Sequence, residues 1–65
     1  MRKFLMFNVF REAGNPGMGY GHVEVTLPEG RKLDQQFVLD VERAVMANQP
    51  EYRMFKITSM TELDA

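Results

Sequence analysis

From Lys3 to Glu12 the chain is apolar at both of its alternating sets of positions, with Phe4, Met6 and Phe10 at even places and Leu5, Phe7 and Val9 at odd ones. A strand with one wet face alternates apolar and polar residues, so a run apolar at both parities predicts a strand covered on both sides. His22 to Leu27 behaves differently, because Val23, Val25 and Leu27 alternate with His22, Glu24 and Thr26, the pattern of a half-buried strand. Tyr52 to Ser59 predicts a third strand, with Arg53, Phe55 and Ile57 on one face and Tyr52, Met54, Lys56 and Thr58 on the other. Between the second and third strands the period becomes helical. Leu33, Phe37, Val41, Ala44 and Val45, with Val38 at the edge, form one stripe at about 100° per residue.

The helix start is marked by Asp34, whose carboxylate can accept from the free N–H groups of the first turn, and by Leu33 and Val38 at the two positions of a hydrophobic staple. Pro50 cannot continue a helix and restricts Gln49, which predicts an end near Asn48. Ala13 to Gly21 carries four glycines and a proline and is expected to be a loop. Pro28-Glu29-Gly30 is a turn, and Met60 to Ala65 is expected to fray or dock loosely.

Strand, strand, helix, strand is the order of an α+β domain of ββαβ type. A right-handed crossover through the helix, with the third strand beside the first, gives sheet order 2-1-3. The helix is then expected over Leu5, Phe7, Val9, Val23, Val25, Phe55 and Ile57. The opposite face would hold Phe4, Met6, Phe10, Tyr52, Met54 and Met60, with Asn8, His22 and Thr26 among them. One helix cannot cover both faces. The missing layer is expected from a second copy in a homodimer or larger homo-oligomer, or from another protein, which makes Phe4, Met6, Phe10, Tyr52 and Met54 candidate interface residues. Leu39 and Met46, seven residues apart and off the core stripe, form a second candidate patch.

Sixty-five residues allow one domain, 1–65, and a domain of that size buries only about 60% of its unfolded surface. Disulfides, thiol chemistry and a structural zinc site are excluded by the absence of cysteine and the single histidine, so self-association is left as the reinforcement. A small domain without disulfides fits a reducing cytoplasm. The basic start Met1-Arg2-Lys3 leads into an apolar run that Asn8 interrupts and Arg11-Glu12 ends, which is not an export signal, and no stretch reaches the roughly 20 apolar residues of a membrane span. Eight basic and nine acidic residues are scattered along the chain, for a net charge of -1. Binding to nucleic acid needs a row of cations, and none is present.

The glycines between Gly14 and Gly21 invite comparison with loops that cradle phosphates, but the lysine and hydroxyl of a G-x-x-x-x-G-K-[ST] motif are missing and the segment leads into a strand. On the expected topology it also lies beside the helix C-terminus, whose partial negative charge repels anions. No serine, acid or second histidine is arranged with His22 as a catalytic set, and Glu12, Glu24, Asp40, Glu42 and Glu51 lack the spacing of a carboxylate pair or metal site. No catalytic residue and no cofactor are therefore assigned. The expected function is that of a non-enzymatic homo-oligomeric binding protein, an inhibitor or modulator of another protein. The alternative is a protein that binds or sequesters a small nucleotide-like anion between subunits, using Tyr20, His22, Arg31 and Arg53 with the glycine-rich loop as a lid. In size, lack of cysteine and stand-alone compactness the chain resembles the small accessory proteins encoded by phages and other mobile elements, a resemblance that implies binding to a host factor.

Overall fold

A computed structural model describes residues 1–64. Strands β1 (Arg2–Glu12) and β2 (Gly19–Leu27) are followed by helix α1 (Gln35–Asn48) and strand β3 (Tyr52–Leu63). The sheet order is β2-β1-β3, and both outer strands run antiparallel to β1. This is the expected α+β arrangement. The helix begins as its sequence dictates: Asp34 is the N-cap, and its Oδ1 accepts from the Phe37 N–H at 3.0 Å.

The two faces of β1 are exchanged relative to expectation. Phe4 pairs with Val25 and Met6 with Val23, so the even positions of β1 share a face with the valines of β2, and this is the face the helix covers. Phe4, Met6, Leu27 and Phe37 form the core, flanked by Val23, Val25, Leu33, Val41 and Ile57. Met6 is fully enclosed. Each such side chain contributes about 1.5–3 kcal/mol by leaving water. The odd residues Leu5, Phe7 and Val9 lie on the other side. Asn8, the one polar residue between Phe4 and Phe10, is nonetheless buried, because Gly21 opposite it leaves room for the amide.

Two irregularities in the β1–β3 ladder set the third strand's faces. Near Arg11 and Glu12 the pairing skips Arg53, so Tyr52 pairs with Glu12 and falls on the helix side rather than the outer side expected for it. There it stacks on Phe10 with ring centroids 4.9 Å apart, and Phe55 continues the stack at 6.1 Å from Tyr52. The other skip lies at Thr58, between the Phe7–Ser59 and Asn8–Ile57 pairs. Beside it, the Ile57 N–H is taken up by Glu42 Oε2 at 2.8 Å, so a buried helix carboxylate supplies an acceptor to the third strand.

Two boundaries differ from expectation. β2 starts at Gly19, inside the segment expected to be a loop, because a strand glycine there lets the Phe10 ring lie against its backbone. β3 continues to Leu63, since Met60, Thr61, Glu62 and Leu63 pair with Met6, Leu5, Phe4 and Lys3. Of the tail expected to fray, Ala65 lies outside the described residues. The turns at Glu12–Asn15 and Pro28–Arg31 place Gly14 and Gly30 at φ 77° and 82°, the left-handed region their third positions require.

Two substitutions test these contacts. Glu42→Ala is expected to lower the unfolding free energy by about 2–3 kcal/mol, because a buried N–H loses a charged acceptor, while Glu42→Gln retains an acceptor oxygen and loses less. Chemical denaturation of the two variants checks the ordering. A β-carbon at Gly19 would lie 2.3 Å from the Phe10 ring, so Gly19→Ala is expected to cost about 1–3 kcal/mol as the aromatic stack is displaced, read as a lowered thermal midpoint.

Candidate functional site

On the side of the sheet away from the helix, β1 presents Lys3, Leu5, Phe7, Val9 and Arg11. β2 sets Thr26, Glu24, His22 and Tyr20 opposite the first four of these. β3 adds Leu63, Thr61, Ser59, Lys56 and Met54 in register. The apolar residues run down the central strand, with polar and charged side chains on both flanks. Phe7 is at the middle of this row, 42% exposed, with the His22 ring edge-on at 6.2 Å. Tyr20, at 78%, is the most open aromatic of the chain. No described element packs over this face, so an apolar row on a rigid central strand meets solvent.

The candidate residues distribute unevenly over the molecule. Met54 is on the outer face, half-buried, as expected. Phe4 and Met6 are buried in the chain's own core, and Phe10 and Tyr52, half-buried, stack at its end on the helix side, so none of the four lies on the outer face expected for it. Leu39 and Met46 are half-buried on either side of the buried Glu42, on the flank of the helix that leans toward β3, rather than standing clear of the core. The residues that replace them on the open face are Leu5, Phe7, Val9, Tyr20 and Leu63. The signal for Leu5, Phe7 and Val9 is the double apolar pattern of β1, but the choice of face depends on the register with β2, and Tyr20 and Leu63 join them through strand ends that lie outside the expected strands.

The residues considered for an anion do not converge. Tyr20 and His22 lie on the outer face of β2, Arg53 at the start of β3, and Arg31 beyond the opposite end of β2. Arg53 donates to the Pro50 carbonyl at 3.2 Å. Arg31 is engaged twice: its Nη2 donates to Asp40 Oδ2 at 2.8 Å, and its guanidinium lies 5.2 Å from the Phe37 ring centroid. The glycine-rich loop sits beside the chain that follows the helix C-terminus, with the Ala13 N–H bonded to Glu51 O at 2.7 Å, where the dipole disfavours phosphate.

A second arginine closes the same end of the core as Arg31. Arg2 lies 5.2 Å from the Phe4 ring centroid and makes a two-pronged contact with Glu62, at 2.9 and 2.8 Å. A cleft of about 520 Å³ opens there, lined by Arg2, Lys3, Glu24, Glu62 and Asp64 among others. With Arg2 already engaged by Glu62, the lining has no excess of cations to hold an anion. Among the described residues no group of three or more His, Cys, Asp or Glu side chains forms a metal site, and no helix is long and apolar enough to cross a membrane. Compared with known proteins, the chain matches no family model, no curated protein and no solved structure.

The arginine contacts fix a pH dependence. Hydrogen bonds from Arg31 and then Gln36 hold the Asp40 carboxyl below the ordinary carboxylate range, and Arg2 does the same for Glu62. Both folded-state values are depressed, so the stabilisation is complete above the unfolded value, about pH 4, and is lost as the pH falls through the folded one. The urea midpoint is therefore expected to decline on acidification below about pH 5, and less steeply in Arg31→Ala or in high salt, because these pairs are exposed and screened.

Proposed function

We propose that this chain is a non-enzymatic, homo-oligomeric binding protein that modulates or inhibits another protein, with the uncovered sheet face as its recognition surface. The observation that carries the reading is Phe7, a large aromatic held open at the centre of the Leu5-Phe7-Val9 row on the middle strand. Central strands are the stiffest part of a small sheet, so an aromatic displayed there binds with little loss of conformational freedom. Aromatic and methionine side chains are enriched at protein interfaces, and the rim of Lys56, Glu24, Thr26 and Thr61 supplies the polar surround such interfaces carry. The scattered arginines and the absence of a catalytic set support binding rather than chemistry. A cysteine-free chain of this size fits a reducing compartment, and the cytoplasm is the proposed location.

Light scattering of the wild-type chain is expected to give a multiple of 7.5 kDa. Phe7→Asp alters a partly exposed position and should lower the thermal midpoint far less than Met6→Asp, which unfolds the protein by burying a charge in the core. In affinity capture from the native cell, Phe7→Asp is expected to lose the proteins that the wild type retains. Identical captures by the two chains would remove the sheet face as the recognition surface.

A further inference from the structure

The two edges of the sheet are built differently. β3 carries two register irregularities together with Arg53, Lys56 and Glu62, the charges and bulges by which natural sheets prevent another strand from pairing. β2 has none of these devices. From Gly19 to Leu27 it pairs with β1 without a register shift, contains no lysine, arginine or proline, and bears one carboxylate, Glu24. Among the described residues, no backbone hydrogen bond outside the ladder with β1 involves β2, so its outward N–H and C=O groups have no protein partner. Beside this edge the helix, leaning toward β3, leaves a groove of about 470 Å³ lined by Val23, Val25, Val41, Ala44 and Val45 together with polar residues.

We infer that the occupant of this edge is a second copy of the chain, its β2 running antiparallel to the first so that two sheets join into one of six strands. The inference specifies the self-association assumed in the proposed function. The sequence of β2 is self-complementary in the register that uses all of it. Nine residues centred on Val23 pair as Val23 with Val23, Gly21 with Val25 and Gly19 with Leu27 on the helix side, and as Glu24 with His22 and Tyr20 with Thr26 on the outer side. The carboxylate of each copy thus meets the imidazole of the other, twice across the axis, and like charges are nowhere opposed. Centring one residue later, on Glu24, would set two carboxylates against each other. A two-fold axis through Val23, perpendicular to the sheet, keeps both helices on the same side. The two apolar grooves then face one another across the seam and shield each other from water.

Because the chain has no cysteine, single cysteines report the seam directly. Directly opposed residues of antiparallel strands have Cα atoms about 4.5–5.5 Å apart, within disulfide range. Val23→Cys is expected to give a covalent dimer on mild oxidation, while Thr61→Cys on the protected strand stays monomeric on a denaturing gel. An equimolar mixture of His22→Cys and Glu24→Cys, both exposed and harmless to the core, is expected to link as the heterodimer. A wild type of twice 7.5 kDa whose Val23→Cys and mixed variants remain unlinked would overturn the edge pairing and leave self-association standing. A wild type of 7.5 kDa at micromolar concentration would overturn both.

Discussion

A helix of fourteen residues is about 21 Å long, whereas the eleven residues of β1 span about 37 Å. This mismatch governs the rest of the molecule. One helix can roof the middle of the inner sheet face, where Phe4, Met6, Leu27 and Phe37 meet, but not its ends. Each end is closed by a different device. Beyond the helix C-terminus the Phe10, Tyr52 and Phe55 rings stack on one another, and at the other end Arg2 and Arg31 lie over Phe4 and Phe37 while their charges are satisfied by Glu62 and Asp40. The arginines serve through the length of their side chains as much as through charge, since a guanidinium can cover an aromatic face and still reach water.

The same shortage of helix explains why a carboxylate is buried. Glu42 sits on the side of α1 that leans toward β3, where an apolar residue would leave the Ile57 N–H unpaired beside the ladder irregularity. The hydrogen bond leaves neither group alone, since the Ile57 N–H gains an acceptor and the desolvated carboxylate a donor. The price of the lean is the far side, where the helix does not close over β2.

Sheet order, helix limits and the N-cap at Asp34 are legible in the sequence because each rests on local chemistry: a change of hydrophobic period, a capping carboxylate, a proline. The choice of face for β1 is not, because both parities are apolar and the only polar residue between Phe4 and Phe10, Asn8, points to the wrong answer. Its burial depends on Gly21, across the hairpin, and on no residue near it in the chain. Tyr52 is misread for a related reason, since a skipped residue at Arg53 reverses the alternation and nothing in the local composition marks it. β1 carries apolar residues on both faces, as its pattern says, and one helix covers only one of them, but the open row is Leu5, Phe7 and Val9 rather than the even positions.

An open face and an open edge make different demands on a partner. Association face to face would bury Phe7 and consume the surface proposed for recognition, whereas association edge to edge lies in the plane of the sheet and leaves the Leu5-Phe7-Val9 row uncovered. In the second case the two outer faces become continuous across the Glu24–His22 contacts, and Tyr20, the most exposed aromatic, moves from the rim of one small sheet to the interior of a larger one. The apolar row of Leu5, Phe7 and Val9 then stays clear of the seam, while Glu24, His22, Tyr20 and Thr26 belong both to the seam and to the joined outer face. The proposed pairing would enlarge the outer face while drawing, for its apolar contacts, on the valine groove of the helix side.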